Sequence, residues 1–341
     1  MKPHNTIRSH AEFSIPVRCT IGDDCFDRIH VILASHGVTD PLWMTGAEPK
    51  QRKAVRKILA AIRGTHPYTV IEIPSTPLSE EERSKLSSHD SIVACGDSRC
   101  IEVAKTLAGS SLPLFIVPFG TLDGLECQGR IRHAASEHTV PKHVIFDGRL
   151  SRLTNEVALA RTICVVLLEA CTTLLANPEP LLLSIAMETF IHTHKALDLF
   201  ISSGKKGRDW RECTLLAGAA VHAAGVCAYN RGPSTIIAYT EALAIEGFAE
   251  LHQAAAALLP YLIRLIETQD PAKHDRLQSI LSGMDPHEFV KVWTSLAETG
   301  ETERIIGRLC TETHSLIPSQ SRIRELQSLL QLLSEDQGAA P

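Results

Sequence analysis

The chain has 341 residues, of which 44% are hydrophobic and 21% are charged, and its formal net charge at pH 7 is -5. This length and composition are typical of a globular protein with room for two domains. No run of basic residues offsets the negative charge, so the sequence lacks the clustered lysines and arginines that are typical of a nucleic-acid-binding protein. We therefore expect no nucleic-acid partner.

The ten cysteines form no C-x-x-C pair and show no Cys/His metal spacing, which is typical of reduced intracellular thiols. The N-terminal residues lack the apolar segment of a signal peptide. No uninterrupted apolar stretch reaches the roughly 18 residues of a membrane span. These features predict a cytoplasmic protein that does not bind membranes.

The first half of the chain alternates strand-like apolar runs with amphipathic, helix-like segments. This alternation predicts βαβ units and a Rossmann-like parallel sheet, so we predict an α/β N-terminal domain over residues 1–150. The predicted strands are Phe13–Gly22, Pro41–Gly46, Tyr68–Ile73, Ile92–Ala94, Pro113–Pro118 and Val144–Asp147, and the predicted helices are Phe26–His36, Pro49–Ile62 and Glu80–Leu86.

After Asn155 the pattern changes to long Ala/Leu-rich runs without β-branched alternation, which indicates helices. We predict an all-α C-terminal domain over residues 151–341. Turns at residues 176–178 and 204–207 divide the first helices. The predicted helices are Ala158–Leu175, Pro180–Ser202, Trp210–Ala228, Ser234–Thr268 and Asp285–Ala297.

The segment Ser91–Lys105 combines a strand, a turn of small residues and the start of a helix. α/β proteins often hold phosphates at such a turn, on the free backbone N–H groups of the helix. The candidate phosphate-loop residues are Gly96, Asp97, Ser98 and Arg99. A βα turn that holds no ligand is the alternative.

The residues Ala94–Lys105 resemble the loop A-x-G-G-G-S-x-x-D-x-A-K of the iron-containing alcohol dehydrogenase and dehydroquinate-synthase-like superfamily, which includes maleylacetate reductases and glycerol dehydrogenases. Pro118–Glu126, Pro141–Asp147, Ala176–Pro178 and Trp210–Gly225 resemble further motifs of that superfamily, in the same order. The resemblance covers about residues 13–262 and implies a dehydroquinate-synthase-like fold with a ligand cleft between the two domains.

The superfamily's glycine-rich loop holds NAD, but Asp97 and Ser98 stand where the resemblance puts two of the glycines, and Arg99 stands where it puts the serine. A carboxylate at Asp97 would repel a pyrophosphate. The resemblance therefore implies a vestigial phosphate loop, and we expect no cofactor. Binding of NAD(P) is the alternative.

The superfamily also holds iron or zinc with an aspartate and three histidines. The resemblance puts these ligands at Thr162, at Val166, at Asn230 or Ile237, and at Leu251, beside His252. One histidine does not hold a divalent cation, so we expect no metal. Glu188 and His192, with His194, form a competing helical pair on a segment that we expect to be a solvated face.

The same resemblance places the substrate volume between the loop Phe119–Glu126 and the helical segment Tyr229–His252. The polar side chains there could donate or accept a proton or hold an oxyanion. These candidate catalytic residues are Asp123, Glu126, Tyr229, Asn230, Tyr239, Glu241 and His252.

Three functions follow from these observations. The first is a repurposed, metal-free enzyme that is not NAD-dependent. It would catalyse a cyclisation, isomerisation or lyase-type step on an organic small molecule of specialised metabolism, by acid–base and hydrogen-bond catalysis. The second is a metal-independent NAD(P)-dependent carbonyl reductase or alcohol dehydrogenase. The third is a non-catalytic pseudoenzyme. The sequence leaves a homodimer open.

Overall fold

The computed structural model describes residues 13–15, 17–46, 49–61, 69–72, 88–120, 122, 127, 130–131, 134–176, 178–203, 208–231, 234–245 and 249–297. The predicted helix Glu80–Leu86 lies outside these residues, as does the chain after residue 297.

A six-stranded sheet forms the centre of the first part of the chain, and every strand pair in it is parallel, as the sequence predicts. The strand order is β1-β8-β5-β4-β2-β3. The strands are β1 (Arg18–Gly22), β2 (Pro41–Thr45), β3 (Thr69–Glu72), β4 (Ser91–Gly96), β5 (Leu114–Pro118) and β8 (His143–Asp147). An antiparallel hairpin of β6 (Arg130–Ile131) and β7 (Ala134–His138), which the sequence analysis did not predict, precedes β8.

Strands β2, β4 and β5 are buried at every residue, which is why they read as continuous apolar runs. A short 3-10 helix (Cys25–Arg28) leads into helix α1 (Ile29–Ser35), and the other helices of this part are α2 (Pro49–Ala61) and α3 (Ser98–Ala108). A second 3-10 helix, Gly148–Leu153, connects β8 to the helical part of the chain.

The rest of the described chain is helical, in agreement with the predicted all-α domain. Helix α4 lies at its centre, and 17 of its 20 residues are buried. The helices are α4 (Glu156–Leu175), α5 (Pro180–Ser203), α6 (Arg208–Arg231), α7 (Thr235–Ile245), α8 (Leu251–Gln269), α9 (Pro271–Ile280) and α10 (Pro286–Leu296). The proposed division near residue 150 stays a prediction.

Three predicted elements need correction. The predicted strand Phe13–Gly22 pairs only from Arg18 onward. The predicted helix Ser234–Thr268 is two helices, because a capping box between Glu250 and Gln253 starts α8 anew. Helix α9 was missed, although Asp270 caps its N-terminus and Pro271 occupies its first position, both of which are helix start signals.

Helix α6 packs directly on the sheet part through two glycines that lie seven residues, about two helical turns, apart. A Cβ on Gly218 would lie 2.6 Å from the Phe146 ring, and a Cβ on Gly225 would lie 2.6 Å from the Cβ of Cys127. Both glycines therefore allow a close approach that no other residue permits, and the two parts of the chain are in direct contact at these points.

Two described segments, Glu156–Leu175 and Asp209–Arg231, are long and apolar enough to cross a membrane by length and composition alone. The apolar window is 89% buried in the first and 50% buried in the second. Burial of this kind is what a core helix of a soluble protein shows, so these segments are weak evidence for a membrane span.

Candidate functional site

The carboxyl ends of β2 and β4 meet at the point where the strand order of the sheet reverses, which is where open α/β sheets hold ligands. Strand β4 ends at Gly96, and Asp97 follows it as the N-cap of helix α3. The predicted phosphate loop therefore lies at the expected edge of the sheet.

A side chain of the protein caps the N-terminus of α3. The Asp97 carboxylate accepts a hydrogen bond from the backbone N–H of Cys100, with Oδ1 and N 3.2 Å apart. A Cβ on Gly96 would lie 2.7 Å from the Cβ of Cys100 and 3.4 Å from the backbone N of Gly46, so this glycine serves the packing of strand against helix. One N–H group at this helix start is therefore occupied by a side chain of the protein, and Asp97 and Ser98 stand where the resemblance puts two of the glycines that hold a pyrophosphate.

The positions at which the resemblance puts metal ligands do not fit a metal. The Thr162 hydroxyl donates to the carbonyl of Ala158 and accepts from the N–H of Leu122. Val166 and Leu251 are buried and apolar, so neither coordinates a cation. His252 is buried at the start of α8, beside Leu251.

A small cavity of about 40 Å³ lies between the two parts of the chain, at the carboxyl ends of β5 and β8. By volume it holds roughly three water molecules. Its polar groups bond within the protein: Thr154 accepts from the N–H of Gly120, and Asp147 accepts from the N–H groups of Phe26 and Arg149.

The candidate catalytic residues do not all face this cavity. The predicted loop contributes Phe119, Gly120 and Leu122 to its lining, but residues 229–252 contribute none of the described lining residues. Asp123 and Glu126 lie outside the described residues, as does the side chain of Tyr239. Their assignment stays a prediction.

Asn230, one of the predicted catalytic residues, makes hydrogen bonds to the backbone through both atoms of its amide. Its Oδ1 accepts from the backbone N–H of Ser14, and its Nδ2 donates to the carbonyls of Ser14 and Val226. Tyr229 beside it is 47% exposed. The amide of Asn230 thus connects the N-terminal segment to α6, and its catalytic assignment stays a prediction.

Glu241 on α7 and His252 on α8 are both buried, at 9% and 6% exposure. A buried carboxylate and a buried imidazole on consecutive helices are suitable acid–base groups, and both stay candidates. The competing pair, Glu188 and His192, is partly exposed, with 3.8 Å between Oε2 and Nε2. Within the described residues this pair lacks a third metal-ligating side chain.

A buried ion pair that was not predicted from the sequence lies near the position at which the resemblance puts a metal ligand. Glu169 on α4 accepts from Arg231 at the end of α6, with Oε2 and Nη2 2.6 Å apart, and both side chains are only 4% exposed. The Nε and Nη1 atoms of Arg231 are buried without a hydrogen-bond partner among the described residues. A buried guanidinium normally satisfies its donors, so these two nitrogen atoms are available to an acceptor that the described residues do not supply.

Cys227 lies beside this ion pair. Burial, reinforced by the nearby Glu169 carboxylate, raises the pKa of the Cys227 thiol to about 12, so the thiol stays protonated at neutral pH. Glu169, three residues after Val166, lies in a segment that the resemblance to the superfamily covers. Its pairing with Arg231 could not be predicted, because no sequence spacing relates two residues that lie 62 positions apart.

Comparison with known proteins identifies the fold. No protein-family model matches the sequence, and no curated protein matches it. Solved structures do match over nearly the whole chain. Sulfoacetaldehyde reductase from Bifidobacterium kashiwanohense, in complex with NAD+, is 18% identical, with a TM-score of 0.71 and coverage of 95% of this chain and 99% of that chain.

Two further matches agree with the first. Maleylacetate reductase from Agrobacterium tumefaciens is 15% identical, with a TM-score of 0.72 and coverage of 97% and 100%. An iron-containing alcohol dehydrogenase from Thermococcus thioreducens is 16% identical, with a TM-score of 0.70 and coverage of 95% and 100%. The chain therefore has the fold of the iron-containing alcohol dehydrogenases, as its motifs predict, and these structural neighbours are reductases and dehydrogenases.

Proposed function

We propose that this chain is an enzyme that acts on an organic small molecule carrying a carboxylate or carbonyl oxygen, and that it catalyses a non-redox step such as a cyclisation, isomerisation or elimination. In this proposal, Arg231 supplies the positive charge that a metal supplies to the substrate oxygen in metal-dependent enzymes. The observation that carries the proposal is that two nitrogen atoms of this buried guanidinium, Nε and Nη1, have no hydrogen-bond partner among the described residues.

The position of Arg231 supports this role. Its partner Glu169 lies three residues, about one helical turn, after Val166, where the resemblance puts a metal ligand. Arg231 also directly follows Asn230, one of the two positions that the resemblance offers for another ligand. A fixed cation is thus buried next to the implied metal site, on the same two helices, α4 and α6.

The chemistry follows from the properties of guanidinium. It stays protonated in proteins, so it cannot act as a base, but it can donate hydrogen bonds to an oxygen on which negative charge develops. Such stabilisation is strongest where water is excluded, as at this buried pair. Glu169 holds the guanidinium in place through Nη2, which leaves Nε and Nη1 for the substrate. Glu241 and His252 are the candidate groups for the accompanying proton transfer.

The proposal is tested by ligand binding in matched variants. The double substitution Glu169→Gln/Arg231→Met removes both charges together, which avoids leaving one buried charge unpaired and should preserve the fold. We expect members of a panel of carboxylic and 2-oxo acids to raise the melting temperature of the wild type but not that of the double variant. If no compound stabilises the wild type more than the double variant, the proposal is wrong.

The second candidate, an NAD(P)-dependent reductase, is favoured by one observation: the structural neighbour from Bifidobacterium is in complex with NAD+. The Asp97 carboxylate at the N-terminus of α3 opposes it. Calorimetric titration with NADH and NADPH distinguishes the two. We expect no saturable binding, whereas a micromolar dissociation constant that tightens in Asp97→Gly would make the reductase the better assignment.

A further inference from the structure

Three side chains with metal-ligating atoms meet at the end of the helical part, far along α8 from the implied cleft metal. Glu267 lies in the last turn of α8, His274 in the first turns of α9, and His287 at the start of α10. One carboxylate oxygen and one ring nitrogen from each histidine all lie within 4.8 Å of one another. Each of three consecutive helices thus contributes one ligand atom.

The distances are close to those of a metal site. His287 Nε2 and Glu267 Oε2 are 3.2 Å apart. Two ligands on a tetrahedral zinc ion, with bonds of about 2.0–2.1 Å, are separated by roughly 3.3 Å. The His274 and His287 rings lie with their centroids 5.9 Å apart. The Glu267 and His287 side chains are 50% and 35% exposed, so rotation about their side-chain bonds can bring all three atoms onto one ion.

His274 adds an independent observation. Its Nε2 atom is buried and has no hydrogen-bond partner among the described residues. A buried imidazole nitrogen normally has a partner, and in its neutral form this nitrogen is either a donor or a lone-pair acceptor that suits a metal. A cation coordinated through Nε2 would satisfy this atom.

The three ligands stand on a rigid support. The Asp270 side chain caps α9 and the Asp285 side chain accepts from the backbone N–H of His287 itself, which fixes the start of α10. Leu277, Phe289 and Trp293 lie on these two helices and are fully buried, at 0–1% exposure. Ligands on packed helix ends are better positioned than ligands on free loops.

We propose that Glu267, His274 and His287 bind a divalent transition metal ion of the zinc class, which joins the ends of α8, α9 and α10. Two imidazoles and one carboxylate suit zinc, nickel or copper better than magnesium or calcium, which take oxygen ligands. Three protein ligands leave a fourth position open to water on the exposed side. The site is separate from the implied metal position in the cleft, because Glu267 lies 15 residues, more than four helical turns, after His252 on the same helix.

The test is a zinc titration of the whole chain after treatment with a chelator. Zinc chloride is added in a calorimeter to the wild type and to the variants His274→Gln and His287→Gln, and folding of each is checked by circular dichroism. His192→Gln is the matched control, because His192 also neighbours a glutamate, Glu188, but lacks a third ligand among the described residues. Melting temperatures are recorded with and without zinc.

We expect the wild type and the His192→Gln control to bind one zinc equivalent that raises the melting temperature, because a ligand that binds only the folded state stabilises it. Affinity for that equivalent should fall at least about tenfold in His274→Gln and in His287→Gln. If a histidine variant fails to fold, Glu267→Gln replaces it, since that side chain is half exposed. The proposal is overturned if the wild type binds no such equivalent or if these variants bind it unchanged.

Discussion

At the scale of single residues, the Asp97 carboxylate affects whether the N-terminus of α3 can bind an anion. Asp97 occupies the N-terminus of α3, the position where α/β proteins hold phosphate groups, and it bonds to a backbone N–H that would otherwise be free. A side-chain anion thus takes the place of a ligand anion.

The capping role of Asp97 predicts a measurable cost. Asp97→Ala should lower the free energy of unfolding by about 1 kcal/mol, because it removes the N-cap hydrogen bond, whereas Asp97→Asn should stay close to the wild type because asparagine caps equally well. Denaturation by urea measures both. Equal stability of Asp97→Ala and the wild type would show that the carboxylate does not serve as the cap.

Most elements of the fold could be predicted from the sequence because their signals are local. Strands β2, β4 and β5 are apolar throughout, and the long Ala/Leu-rich segments of α4 and α5 end at clear breaks. The break between α7 and α8 was missed, because the apolar pattern continues across it and the capping box of Glu250 and Gln253 is short. The start signals of α9 were present but stand in a polar segment without strong periodicity.

The candidate site was less accessible to sequence reasoning. The motif order led to the sheet edge and to the positions of Thr162 and Val166, which the structure shows to be unsuited to a metal. The Glu169–Arg231 pair and the cluster of Glu267, His274 and His287 depend on contacts between different helices. Spacing along a single element carries no signal for such contacts, so only the packing of the helices shows them.

At the scale of elements, helix α6 depends on its two interface glycines. Glycine to alanine in a helix normally stabilises by about 1 kcal/mol. At Gly225 the new Cβ would lie 2.6 Å from the Cβ of Cys127 and 3.2 Å from its backbone, so we expect Gly225→Ala to destabilise instead. Overpacking of this kind typically costs about 1–3 kcal/mol. Chemical denaturation measures the sign directly.

We expect Gly218→Ala to destabilise the fold as well, because the new Cβ would lie 2.6 Å from the Phe146 ring. A smaller side chain at Phe146 tests whether this contact is the cause. The double variant Gly218→Ala/Phe146→Leu should lose less stability than the sum of the two single variants, since neighbouring sites that share a clash are not additive. Ala219→Gly on the same helix measures the helix propensity alone. A stabilising effect of both alanine substitutions would contradict the close packing of α6 on the sheet.

At the scale of the whole molecule, contact between the two parts limits the volume available to a ligand. In the described residues α6 packs on the sheet part at both glycines, and the remaining cavity of about 40 Å³ is small. Whether two copies assemble stays a prediction, and so does a cytoplasmic location.

The whole molecule should also lose stability as the pH falls below about 7, because two partly buried histidines at the amino edge of the sheet resist protonation. His36 packs edge-to-face on Phe115, with centroids 5.3 Å apart, and its centroid lies 6.4 Å from that of His143. Burial lowers the pKa of both imidazoles. The nearby charges of Arg18 and Lys142 lower the pKa of His36 further. The pKa of His143 is lowered further by His36 and Arg18.

In the unfolded chain both histidines have an ordinary pKa of about 6.5 and take up protons as the pH falls through that value. The folded chain takes them up only at lower pH, so acid favours the unfolded state across the window between the two pKa values, and the loss levels off below the folded one. Replacing both rings, as His36→Gln/His143→Gln, should flatten the dependence of melting temperature on pH. His30→Gln, on α1 and outside this pair, controls for the loss of a histidine as such. An unchanged slope in the double variant would show that other groups cause the loss of stability in this range.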